Sequence, residues 1–148
     1  KFSPSLPKNY KFYSGKGIEI VKGTDAVLFT YGQIMVSEGF KAAKILEKDK
    51  LSLEVINLPS LNYFDRDWLK KKVSKFKYIF FLDDHNINGG MGDLLTAYLV
   101  ENNLINNKKL KKLGFKDFPA CGTYDEVLIY HKLNSYNLAK QILKQLND

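Results

Sequence analysis

Three short apolar runs limit what this chain can fold into. Ala26-Val-Leu-Phe-Thr-Tyr31 stops at Gly32, Leu51–Leu58 stops at Pro59, and Lys77-Tyr-Ile-Phe-Phe-Leu82 stops at a pair of aspartates. Runs this short, rich in aromatic and β-branched residues, read as strands, and the first and third lack a polar face, as strands buried on both sides do. Between the runs the period becomes helical. From Gln33 to Lys48, Met35, Ala42, Ala43, Ile45 and Leu46 share one stripe, while Lys41, Lys44, Glu47 and Lys48 face away. Buried strands alternating with amphipathic helices predict an α/β domain with a mostly parallel sheet and helices on both faces.

The remaining elements follow from local signals. Gly17–Lys22 reads as a short strand. Asp65 is placed as a helix N-cap, with Phe64 and Leu69 as a hydrophobic staple, and that helix runs to about Lys75. Asp83–Gly90 reads as a loop. Met91–Asn102 reads as a helix with Met91, Leu94, Leu95, Tyr98 and Leu99 on one face, and Lys109–Phe115 as a strand. Thr123-Tyr-Asp-Glu126 is a capping box. A last helix starts near Asn134 or Ser135 with the stripe Leu138, Ala139, Ile142, Leu143 and Leu146, and Leu133 is placed to staple onto Leu138. Residues 1–16, with two of the four prolines, read as an extended lead-in or linker, and residues 17–148 as the domain.

The chain has 148 residues, one ordinary domain. At that length roughly 68–70% of the unfolded surface can be buried, so no disulfide or metal staple is needed. The single cysteine, Cys121, excludes an internal disulfide and any zinc site built on several thiolates, and it fits the cytoplasm. No apolar run approaches the ~20 residues that span a bilayer, so no membrane partner is expected. The sequence begins at Lys1 and not at Met, with no signal peptide, as expected of a segment of something longer. The net charge of +7 is nearly all lysine, scattered along every element, with Arg66 the lone arginine. Base readout and bidentate phosphate contacts favour arginine, so no nucleic-acid partner is expected.

One stretch looks chemical: Asp83-Asp-His-Asn-Ile-Asn-Gly-Gly-Met-Gly92, after a buried strand and before a helix. Ligands of open α/β sheets bind at the carboxyl ends of strands. A glycine-rich turn there can offer backbone N–H groups to an anion. Asp84, His85, Asn86, Gly89, Gly90 and Gly92 are therefore the candidate residues of an anion-binding or interface turn. The glycines equally suit a tight turn with close helix–sheet packing. The stretch is neither a P-loop nor GxGxxG. Asp83 and Asp84, adjacent on a strand, point to opposite faces and make a poor acid–base pair. His131 reads as a helix-end residue, Cys121 as a small packing residue, and Trp68 as a core or interface anchor. No catalytic residue, cofactor ligand or metal ligand is identified.

The order of these pieces resembles the C-terminal domain of the transketolase family. Asp25-Ala-Val-Leu-Phe-Thr-Tyr-Gly-Gln-Ile-Met-Val36 with Ala42-Ala43 resembles the family's opening strand and helix. Leu53–Leu58 resembles its second strand, and Phe64-Asp65 its helix opening, with Tyr63 where proline is common. Leu82-Asp-Asp-His-Asn-Ile-Asn-Gly-Gly-Met-Gly92 is similar to its acidic-acidic-His…Gly-Gly-x-Gly turn, with Asp83 in place of the usual Glu. Leu113-Gly-Phe-Lys-Asp117, Gly122 and Glu126-Val-Leu128 resemble its closing part. The resemblance implies a three-layer α/β/α fold with a five-stranded sheet, its first strand antiparallel. It also implies a parent enzyme using thiamine diphosphate and Mg2+, held by other domains and not by this chain alone. The chain would then be a structural, dimer-supporting domain within a homodimeric ketol transferase, its partners the other domains or subunit, and inactive alone. A deoxyxylulose-phosphate synthase and the β subunit of a 2-oxoacid dehydrogenase are alternative parents. A free-standing anion- or nucleotide-binding module using Gly89–Gly92 is the alternative of a different class.

Overall fold

The computed structural model describes residues 11–147. Its elements are β1 (Ile18–Val21), β2 (Ala26–Thr30), α1 (Gln33–Leu46), β3 (Leu53–Asn57), α2 (Arg66–Val73), β4 (Tyr78–Asn86), α3 (Met91–Glu101), β5 (Lys109–Phe115), α4 (Tyr124–Tyr130) and α5 (Ser135–Asn147). The strands form one sheet in the order β1-β3-β2-β4-β5. β1 pairs antiparallel with β3, and every other pairing is parallel. This is the mixed five-stranded sheet that the family resemblance implies. Of the lead-in expected over residues 1–16, residues 1–10 lie outside the described part. Residues 11–17 hold no helix or strand, and the Gly15 carbonyl accepts from the Asp65 N–H at 3.0 Å.

Alternate residues of the central strands feed two cores, as the two-residue strand period requires. Ala26, Leu28, Phe80 and Leu82 pack with Met35, Ala42, Ala43 and Leu46 of α1 and with Leu138, Ala139 and Ile142 of α5. Val27, Phe29, Ile79 and Phe81 pack on the opposite face with Leu69 and Val73 of α2 and with Met91, Leu95 and Leu99 of α3. Phe29 and the indole of Trp68 meet edge to face at 6.4 Å, so Trp68 serves the core.

Several predicted boundaries move. α1 ends at Leu46, a 3-10 turn covers Glu47–Asp49, and Lys50 adopts a left-handed conformation at φ 59°. β3 keeps only Leu53–Asn57, and α2 stops at Val73. Leu94 is corrected from core to surface, at 51% exposure. The buried stripe of α3 is Met91, Leu95 and Leu99, an i, i+4, i+8 series from which Leu94 is rotated by one further residue. Other local signals hold. The Asp65 carboxylate accepts from the Trp68 N–H at 2.8 Å, with Phe64 and Leu69 both buried. The Glu126 carboxylate accepts from the Thr123 N–H at 2.8 Å and its hydroxyl at 2.6 Å.

One buried ion pair fastens α2 to the sheet. Glu54 of β3 is 4% exposed and points away from Leu53 and Val55, into the α2 face. The Lys72 ammonium donates to Glu54 and to Glu19 of β1, 2.7 Å each. Burial pulls the Lys72 pKa down, but the two carboxylates outweigh it and the net shift is upward. Lys72→Met is expected to strip Glu54 of its partner and cost about 3 kcal/mol. Adding Glu54→Leu should recover most of that loss, both read by urea denaturation.

Candidate functional site

The parallel strands share a carboxyl edge, where β2 leads to α1 on one face of the sheet and β4 leads to α3 on the other. Such a divergence of crossovers opens the crevice in which doubly wound folds place ligands. Tyr31 and Gly32 form one lip. The segment after Leu82 forms the other.

The expected loop from Asp83 to Gly90 is corrected here. β4 continues through Asn86, and only residues 87–90 leave the strand. Pairing with β5 holds it: Asn86 registers with Phe115, past an irregularity after Leu82, and the Ile87 N–H donates to the Phe115 carbonyl at 2.8 Å. The two aspartates diverge as adjacent strand residues do. Asp83 is fully buried, whereas Asp84 and His85 are exposed.

Asp83 organises the turn. Its Oδ1 accepts from the Met91 N–H at 2.6 Å and its Oδ2 from the Gly92 N–H at 3.0 Å. The Tyr31 hydroxyl also hydrogen-bonds to it. Burial raises the Asp83 pKa, and these donors pull it back in part. The first two N–H groups of α3, which an outside anion would need, are thus held by a carboxylate of the chain itself.

The rest of the turn is equally tied down. Asn86 Oδ1 accepts from the Asn88 N–H at 2.8 Å, and the Asp93 carboxylate from the Gly89 N–H at 2.7 Å. The Lys112 ammonium of β5 donates to the Ile87 carbonyl at 3.0 Å and to Asp93 at 2.5 Å. Lys112 holds the Asp93 carboxyl below the usual range. Gly89 sits at φ 78° in open space, whereas a Cβ at Gly90 would lie 2.7 Å from Asp83 Oδ1 and 2.8 Å from the Asn86 carbonyl. The two glycines serve different needs, one conformational and one steric.

What faces the crevice is Tyr31, Asp84 and His85. Burial and the two aspartates push the Tyr31 phenol up to about 12, so it stays protonated. Burial also raises Asp84, against the pull of His85. Two groups here carried no sequence signal. Glu38 occupies a position in the apolar stripe of α1 and is 4% exposed. It accepts from the Ser135 N–H opening α5 at 2.7 Å, from Lys41 at 2.6 Å and from the Tyr124 hydroxyl at 3.3 Å. Tyr124 is pushed up to about 12, by burial first and Glu38 next. A buried Glu in a helical stripe is invisible to periodicity. Only its donors, of which Tyr124 and Ser135 are distant in sequence, explain it.

The other candidates resolve simply. His131 is the C-cap of α4, and its Nε2 accepts from the Ala120 N–H at 3.0 Å. Cys121 is corrected from packing residue to exposed thiol, because its loop is tied to the domain through Ala120 and leaves the thiol exposed. A recess of about 470 Å³ lies at the opposite, amino edge, between Lys75, Lys77 and Lys108. The Lys108 ammonium is already engaged there by the Val73 and Phe76 carbonyls, 2.7 Å each. Among the described residues, no three His, Cys, Asp or Glu side chains gather to hold a metal ion.

Comparison with known proteins gives a consistent answer. Residues 15–138 match the family model "Transketolase, C-terminal domain". A Methanocaldococcus jannaschii protein described as a transketolase C-terminal section is 31% identical over 136 residues, covering 91% of this chain and 41% of that protein. A 1-deoxy-D-xylulose-5-phosphate synthase of Halothermothrix orenii is 28% identical over 119 residues, covering 79% and 18%. A split-gene transketolase solved as an inactive β4 tetramer superposes with a TM-score of 0.80 at 23% identity, covering 96% and 47%. The chain spans less than half the length of each of these proteins.

Asp83→Ala is expected to leave the Met91 and Gly92 N–H groups unpaired in a buried site and to cost about 3 kcal/mol. Gly89→Ala should cost about 1 kcal/mol, the left-handed penalty alone. Gly90→Ala, which forces backbone to move, should cost about 2–3 kcal/mol. Chemical denaturation of the three variants tests the order.

Proposed function

The chain belongs to the transketolase C-terminal domain family, and on that premise we propose that it is the structural, subunit-supporting domain of a larger thiamine-diphosphate enzyme. The whole enzyme transfers a two-carbon ketol unit between sugar phosphates. The bond-making chemistry is the cofactor's. Thiamine diphosphate and its Mg2+ are held by the enzyme's other domains, and this chain contributes no catalytic group. The enzyme is a homodimer of the cytoplasm. No described helix is long and apolar enough to cross a membrane.

The observation that carries this reading is the Asp83 carboxylate. It fills the place at the start of α3 where a bound phosphate would sit. A turn whose donors are spent internally keeps a fixed shape and gains little from an anion. Asp84, His85 and Asn86 then serve as the outward side of an interface turn, presented by a rigid strand end. The likeness to a deoxyxylulose-phosphate synthase keeps that enzyme as the alternative parent, under the same division of labour.

Calorimetry decides between scaffold and binding module. Titration with inorganic phosphate, a nucleotide and a sugar phosphate should give no heat of binding below millimolar concentration. Micromolar binding of any of the three would overturn the scaffold reading. In the same assay series, ketol transfer should appear only when the domains that hold the cofactor are joined to the chain.

A further inference from the structure

β2 to β5 all end at the carboxyl edge, and the antiparallel β1 begins there. The segment 11–17 therefore reaches the domain at this edge, where the Gly15 carbonyl is bound by the Asp65 N–H. Apolar side chains are left uncovered along the same edge: Tyr13, Ile34, Tyr63, Leu94 and Tyr124, each 38–58% exposed, and Phe118 at 96%. Large apolar side chains left uncovered at one edge of a domain are candidates for cover by another protein surface.

Phe118 is the extreme case, and it does not sit on a loose tip. Pro119 follows it and fixes its own φ. The Ala120 N–H is held by His131, whose ring packs edge-on against Phe115 of β5 at 4.8 Å and Tyr130 of α4 at 4.9 Å. The loop is fastened to both neighbouring elements while its phenylalanine stands in water. The charge around it is also distinctive. In a chain of net charge +7, residues 116–126 carry Asp117, Asp125 and Glu126 against one cation, Lys116.

We propose that the carboxyl edge is the docking face for the enzyme domain joined ahead of β1, with Phe118 as the anchor that enters an apolar pocket rimmed by basic side chains. The inference rests on the reading under Proposed function and adds the face, the anchor residue and the chemistry of the partner surface. The basic rim is inferred from Asp117 and Asp125, since Glu126 is held by Thr123 in its capping box. Reach is sufficient. β1 and β5 lie four strand spacings apart, about 19 Å at ~4.8 Å each. A domain of ~150 residues has a radius of gyration near 15 Å, so one tethered beside β1 spans the whole edge. The relatives carry more than half their length outside the stretch that this chain matches, which is room for such a domain.

The test uses the intact enzyme, with hydrogen exchange read by mass spectrometry in wild type, Phe118→Asp and Val100→Asp. Phe118 is exposed within the chain, so its substitution leaves the domain folded, and unchanged exchange at Ile79–Leu82 verifies this. Val100 is 50% exposed at the far end of α3, away from the carboxyl edge. Phe118→Asp is expected to speed exchange in peptides covering 84–90 and 116–124 at least tenfold, and Val100→Asp to leave them unchanged. Equal exchange in wild type and Phe118→Asp, or equal loosening by Val100→Asp, overturns the proposal. Protection that rises with protein concentration and tracks self-association would assign the face to a second copy of this chain, and also overturns it. An enzyme without ketol transfer activity defeats the functional reading itself. An active enzyme whose edge ignores Phe118→Asp defeats only the docking face.

Discussion

A carboxylate with no access to water sits where the middle of the sheet hands over to α3. Asp83 is ionisable, fully buried and surrounded by Phe81, Leu82 and Met91 in sequence and space. Burying such a group is costly unless donors meet it. Two backbone N–H groups and a phenol do so, and the positive end of the α3 dipole lies behind them. The consequences spread outward. Gly90 must lack a Cβ because Asp83 occupies that space, and Gly92 must allow its N–H to come within 3.0 Å. The Tyr31 phenol is held at the lip of β2. One desolvated charge therefore sets the backbone of the turn, the direction of α3 and the width of the crevice.

Two further buried carboxylates act in the same way elsewhere. Glu54 ties β3 and β1 to α2 through Lys72, and Glu38 ties α1 to the start of α5 and to Tyr124. Each lies on an element that would otherwise be apolar on that face. Each finds donors, and among the described residues no buried side-chain polar atom is left alone. Unlike a greasy contact, such a pairing tolerates one geometry only, so these carboxylates fix how the helices sit on the sheet more than how strongly they stick.

Much of this was legible in the sequence where local physics governs. The buried runs at Ala26 and Tyr78, the Asp65 cap and the Thr123–Glu126 box need only neighbouring residues, and they fold as read. The antiparallel first strand came from the family resemblance, because β1 is a partly buried edge with little pattern of its own. What failed depends on distant groups. Asp83–Asn86 looked like a loop because two aspartates, a histidine and an asparagine have poor strand propensity. β5 overrides that propensity by continuing the ladder, and Gly114 lets the His85 carbonyl approach. Cys121 looked like packing because small residues usually are, but its loop is tied to the domain through Ala120 and His131 and leaves the thiol exposed. Glu38 was missed for the reason given by its donors, which lie up to 97 residues away.

The adjacent pair Asp83 and Asp84 shows how one strand end serves two ends of a protein's economy. The two-residue alternation of a strand sends one carboxylate into the fold and the other out of it. The inner one holds the Met91 and Gly92 N–H groups of the helix terminus that resembled an anion site. The outer one, with His85, is left beside Gly32, where even a methyl group would meet its oxygen at 3.1 Å. A glycine at position 32, at φ 73°, leaves that space to the Asp84 carboxylate. A site that needed to admit a substrate would want the opposite: free donors, room, and a lip able to move. The geometry of the carboxyl edge, with the donors at the start of α3 held by Asp83, fits the proposed docking role better than it fits a substrate site.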